Sequence, residues 1–147
     1  MKTLTLTLAL ALGILQSLAA ELTWHTDLTK AQALAKAEKK IIMIDFTGSD
    51  WCGYCIKLDK EVFKTPEFAE YAVKNLVLVT IDFPRKNPLP EAQAKANNAL
   101  KAKYDVSGFP TLVLLNPDGK EVGRQVGYES GSGTKAVCKL ADGAKGK

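Results

Sequence analysis

Two near-continuous apolar runs set the frame of this chain. "IIMIDF", residues 41–46, and "LVLVTIDF", residues 76–83, show little alternation of polar and apolar positions. Strands buried on both faces of a sheet read this way. Around them the pattern takes a helical period. Leu28, Ala31, Leu34 and Ala35 fall on one face of "LTKAQALAKAEKK", and Asp27 or Thr29 is placed to cap its start. "IKLDKEVF", residues 56–63, also has helical spacing. Thr65 and Pro66 then restart a helix, with the threonine as cap and the proline in the first turn. "LTWHT", residues 22–26, alternates as a short edge strand does. Prolines mark "PRKNPLP", 84–90, as a loop, and a helical Ala- and Lys-rich stretch runs from Glu91 to Tyr104. "TLVLLN", "PDGK" and "EVGRQVG" read as strand, turn and strand, with Asp118 and Gly119 at the turn. "ESGSG" reads as a flexible link, "TKAVCKLA" as a short last helix and "DGAKGK" as a disordered tail.

This order of elements predicts an α/β protein, a central mixed β-sheet flanked by helices on both faces. The crossover between the two apolar strands is long enough for a parallel, right-handed connection. If the strand from Thr111 runs antiparallel to them, its beginning joins their C-terminal ends at one sheet edge. "SDWCGYC", "PRKNPLP" and "SGFP" then converge, at the edge where open α/β sheets bind ligands.

The first residues are of another kind. "MK", the uncharged "TLTLTLALALGIL" and the small residues of "QSLAA" have the three parts of a secretory signal peptide, residues 1–19, cut after Ala19. The apolar run is shorter than the roughly 20 residues of a spanning helix, so no stable membrane anchor is expected. No cysteine follows it to take a lipid. The remainder divides into one domain, 20–128, and a link, short helix and tail, 129–147. A net charge of +4 with dispersed lysines is too mild for a nucleic-acid footprint. Three cysteines, Cys52, Cys55 and Cys138, are too few for a disulfide scaffold.

Cys52 and Cys55 therefore need a chemical explanation. If Cys52 opens a helix, the two Cα atoms lie about 5 Å apart, inside the disulfide window of roughly 4.4–6.8 Å. As a staple the pair is poor, since so small a ring contributes about 2 kcal/mol against about 3 for a 15-residue loop. Spacing thus favours a switch. The positive end of the helix and its unpaired N–H groups lower the Cys52 pKa, which makes Cys52 the nucleophile. Cys55, a turn deeper, resolves the mixed disulfide. Trp51 and Tyr54 flank the pair, either as apolar surface for a substrate chain or as packing. Arg85 and Lys86 lie in the loop on the same edge, as solvated cations or as steering charges. Cys138 reads as a small apolar residue beside Val137 and Leu140, or else as a thiol that pairs between molecules or with Cys55. Nothing places His25, the only histidine, near the site. A reading of another class is a module that docks a partner or binds a soft metal, because thiolates suit Cu(I). No methionine or histidine lies beside the pair.

"IIMIDF", "WCGYC" and "YDVSGFPTLVLLNPDG" together resemble the strand, active-site and proline-loop sequence of the thioredoxin superfamily, over roughly residues 24–128. "FTGSDWCGYCIKLDKEVF" is similar to exported bacterial members, and Gly53-Tyr54 is the dipeptide between the cysteines of periplasmic disulfide isomerases. The resemblance implies a thioredoxin-like fold and a cis-proline at Pro110 facing the disulfide. It also implies a Phe109 backbone that pairs with bound peptide like an added strand, with Gly53 in the same substrate surface. Asp45 resembles the buried acid that relays the proton of the resolving cysteine; a structural carboxylate capping the loop is its other role. Asp45 stands seven positions before Cys52, one more than in ordinary thioredoxin, and "LVLVTI" lacks the lysine that partners this acid. The implied protein is a periplasmic or secreted monomer without organic cofactor or metal. Its partners would be protein thiols or disulfides and an upstream redox donor. A disulfide reductase is the first expectation and an isomerase the second.

Overall fold

The structure, a computed structural model, describes residues 22–147, so the expected signal peptide at 1–19 lies outside the described residues. The two apolar runs form the centre of a five-stranded sheet of order β1-β3-β2-β4-β5. β2 (Ile41–Thr47) and β3 (Leu76–Asp82) pair in parallel, and β1 (Trp24–His25) extends the sheet parallel to β3. On the other side β4 (Thr111–Leu115) runs antiparallel to β2, and β5 (Glu121–Val126) antiparallel to β4. The register explains the missing alternation. Ile41, Met43, Leu76, Leu78, Leu112 and Leu114 pack into a core on one face. Ile42, Ile44, Phe46, Val77, Val79 and Val113 pack into a second core on the other. Both faces of the central strands are therefore apolar.

α1 (Leu28–Glu38) covers the second core with Leu28, Ala31 and Ala35. Asp27 caps it, its carboxylate accepting from the amides of Thr29 and Lys30. α4 (Glu91–Lys103) lies on the same side and buries Asn97, whose amide donates to the Asp82 carbonyl at 2.8 Å. The first core is covered by α2 (Gly53–Leu58), α3 (Pro66–Asn75) and α5 (Gly133–Asp142). Thr65 caps α3, its hydroxyl accepting from the Phe68 amide at 3.2 Å.

Two regions differ from expectation. Helical spacing predicts one helix over 56–63, but after Leu58 the backbone widens into a π-helical turn, Asp59–Phe63. The Lys64 amide bonds back to the Asp59 carbonyl at 2.9 Å, and Val62 and Phe63 are both buried. The C-terminal tail, expected to be disordered, packs instead. Ala144 is buried and lies near Gly123 on β5. Ahead of α5, the Glu61 carboxylate accepts from the Tyr128 hydroxyl (2.7 Å), the Ser130 hydroxyl (3.2 Å) and the Gly131 amide (2.9 Å), which holds the link in place. No helix among the described residues is long and apolar enough to cross a membrane.

Candidate active site

β2 ends at Thr47, and the chain turns at Gly48. A Cβ at Gly48 would lie 2.5 Å from the Trp51 indole, so glycine is what lets the ring fold back over the turn. The Cys52 amide donates to the Gly48 carbonyl at 2.9 Å, and Cys52 becomes the N-cap of α2. Its sulfur accepts from the Cys55 amide at 3.3 Å. The two cysteines form a disulfide with Cα atoms 5.2 Å apart, the separation a single helical turn requires. Cys52 is 7% exposed and Cys55 4%. A sulfur held among free helix N–H groups is stabilised as thiolate once the bond opens.

The three stretches expected at this edge do meet. The Trp51 indole N–H donates to the Phe83 carbonyl at 2.8 Å, and its ring stands edge-on to Phe109 at 6.0 Å. Phe83 stacks on Phe109 at 5.1 Å. The Asp50 carboxylate accepts from the amides of Arg85 (3.0 Å) and Lys86 (2.7 Å), which ties the proline loop to the cysteine turn. These backbone hydrogen bonds, that of Arg85 foremost, hold the Asp50 carboxyl below the usual carboxylate range. The Arg85 guanidinium lies 3.6 Å above the Trp51 ring. Phe109–Pro110 is a cis peptide, Pro110 is buried, and its carbonyl accepts from the Gly127 amide at 2.8 Å. Around the pair Tyr54 and Ile56 are exposed, and the space above Gly53 is open.

Asp45 lies on the other side of the pair, in mid-strand β2. It is buried, and its Oδ1 has no hydrogen-bond partner. It opens onto a cleft of about 480 Å³ that Thr47, Cys55, Asp59, Lys64 and Thr80 also line. Desolvation pushes the Asp45 carboxyl up to about 8, with the charges of Asp59 and Asp82 adding to the shift. The β3 residue paired with Asp45 is Thr80, so no cation meets the acid from the sheet. Lys64 instead pairs with Asp59 at 2.5 Å, across the π-helical turn.

The structure does not bring His25 or Cys138 to the pair. His25 lines a groove with Leu34 and Glu38. Cys138 sits half-buried on α5, where burial and the Glu67 charge push its thiol up. Gly48, Asp50, Asp59 and Lys64 belong to the site and escaped the reading of the sequence. Asp59 left a signal, because it stands one helical turn after Cys55. Asp50 left none: its partners are 35 and 36 positions away.

A mixed sheet carrying an N-cap cysteine in a C-x-x-C disulfide, beside a cis-proline loop, defines a thiol–disulfide oxidoreductase. The chain belongs to the thioredoxin-like family, whose family model matches residues 28–141. It is 42% identical over 129 residues to the disulfide bond reductase DsbH of Chlamydia pneumoniae, covering 86% of this chain and 75% of that relative. It is 32% identical over 147 residues to the thioredoxin-related protein DsbJ of the same organism, covering 94% of this chain and 42% of DsbJ. Among solved structures, a DsbH oxidoreductase matches with a TM-score of 0.78 at 38% identity, over 99% of this chain and 95% of that one. A thioredoxin from Thermus thermophilus matches with a TM-score of 0.60 at 25% identity, over 82% and 85% of the two chains.

Proposed function

We propose that this protein is an exported disulfide reductase acting on protein substrates. The observation that carries the direction of electron flow is the likeness to the disulfide bond reductase DsbH, which extends over most of both chains. In this reading the Cys52 thiolate attacks one sulfur of a substrate disulfide and expels the other, which takes a proton from solvent. Cys55 then gives its proton to the Asp45 carboxylate and attacks the Cys52 sulfur, releasing the remaining substrate sulfur as thiolate. Two electrons pass from the dithiol to the substrate, and the pair closes as the disulfide seen here.

Asp45 suits the proton-accepting role because its pKa of about 8 lies close to that of an ordinary thiol, about 8.5. The shared cleft gives the proton a route between Cys55, Asp45 and solvent. Trp51, Gly53, Tyr54, Phe109 and Pro110 form the substrate surface, with the Phe109 backbone pairing with the bound chain. The reaction uses no organic cofactor or metal, and an upstream redox protein restores the dithiol. Residues 1–19 act as a signal peptide and deliver a monomer to the periplasm or the exterior.

Titration of the Cys52–Cys55 pair against glutathione buffers, followed by thiol trapping, tests the direction. The expected potential is near or below about −250 mV, on the thioredoxin side of the scale. A potential of about −180 to −120 mV would overturn the reductase assignment in favour of an isomerase or oxidase. Absence of any reversible two-electron transition would point to the soft-metal or docking module instead.

A further inference from the structure

The loop bearing Arg85 and Lys86 takes no part in the exchange just described, yet it is built into the site. Asp50 clamps its backbone to the cysteine turn through the amides of both residues. The Arg85 guanidinium is held 3.6 Å over Trp51, the residue that precedes the nucleophile. Both side chains are exposed, and neither enters an ion pair among the described residues.

The acidic groups around the pair are differently placed. Asp50 faces the loop amides, and Asp82 accepts from the Ser49 amide and hydroxyl. Asp59 is answered by Lys64, and Asp45 is buried. Asp50 and Asp82 accept from neutral groups and keep their charge, so the rim is mixed in sign, and what stands out on it is the exposed Arg85 guanidinium, which no carboxylate pairs with among the described residues. A guanidinium stacked by its face on an indole keeps its N–H edges turned outward, and those edges match a carboxylate with two parallel hydrogen bonds. The indole also restrains the side chain, so less rotamer freedom is lost when a ligand binds.

We propose that Arg85 selects substrates that carry an aspartate or glutamate beside the disulfide cysteine. The carboxylate docks on the Arg85 edge while the neighbouring sulfur meets Cys52. The inference rests on the disulfide-reductase reading, which it deepens by naming the substrate class.

The test compares reduction of two disulfide peptides, alike except for Glu or Lys beside the cysteine, as the ratio of their kcat/KM values. The wild-type protein is expected to favour the Glu peptide by about 3- to 5-fold, the scale of one exposed ion pair. The preference falls to about 1 in Arg85→Gln, inverts in Arg85→Glu, and weakens with salt. The reduction potential of the pair stays at its wild-type value in Arg85→Gln, because substrate selection does not act on the cysteines. Equal reduction of both peptides by the wild type would overturn the selection and leave the reductase reading intact. Reduction of neither would overturn both. A preference that survives Arg85→Gln, or one lost together with a shift in potential, would show that Arg85 merely packs on Trp51.

Discussion

Asp45 is the residue on which burial and chemistry meet. Its carboxyl is raised to about 8 chiefly by desolvation, so the folded protein favours the protonated form. An unfolded aspartate ionises near 3.9. Below that pH the group costs nothing; above it the folded state holds a proton that the unfolded chain releases. Stability therefore declines as pH rises from about 4 to about 8. Asp45→Asn removes the penalty, and urea denaturation at pH 7 is expected to show a gain of about 2–4 kcal/mol that vanishes near pH 3. The same substitution should slow the release of substrate by Cys55 and flatten the rise of turnover between about pH 7 and 9. Cys55→Ser is expected to halt the cycle at the mixed disulfide. Mass spectrometry should then find the substrate joined to Cys52. A substrate bound to Cys138 would contradict the assignment.

At the scale of single elements, short caps and turns place the chemistry. Gly48→Ala brings a methyl group into the indole of Trp51 and displaces the ring from its bond to Phe83. A destabilisation of about 1–3 kcal/mol is expected, together with altered Trp51 fluorescence in both redox states. α3 depends on Thr65, whose hydroxyl also donates to the Val62 carbonyl at 2.7 Å and so links the end of the π-helical turn to the next helix. Thr65→Ala should lower stability by about 1–2 kcal/mol without change in the slope of the denaturation curve. These elements were largely legible in the sequence. Pro66 after Thr65 gave the start of α3, and Asp27 or Thr29 the start of α1, where the structure has Asp27 as the cap. The π-helical turn was not, because "IKLDKEVF" keeps helical spacing whether or not one turn widens.

The whole molecule closes its first core with a segment that reads as a link, a short helix and a tail. Val137, Ala141 and Ala144 are buried against the face of the sheet that also carries Leu112 and Leu114. Truncation after Tyr128 is expected to cost on the order of 3–5 kcal/mol by uncovering that face, read as a lower urea midpoint. A truncated chain as stable as the full one would show that α5 only rests on the surface. Small residues gave this segment a weak apolar pattern, and its Ala144 packs near Gly123 on β5. Neither partner announces the other over twenty residues of chain.

The sequence alone determined the sheet and the cysteine spacing, and named the proposed actors of the exchange, in one physical sense: each depends on local spacing. Two strands without alternation imply burial on both faces, and cysteines three apart at a helix start are one turn apart. The tertiary structure decided what long-range geometry controls. Whether Asp45 shares a cleft with Cys55, whether Lys64 answers Asp59, and where Asp50 anchors the loop all depend on elements far apart in the chain. So does the stacking of Arg85 on Trp51. Periodicity reports the face on which a residue lies, and only the packed fold reports what it meets there.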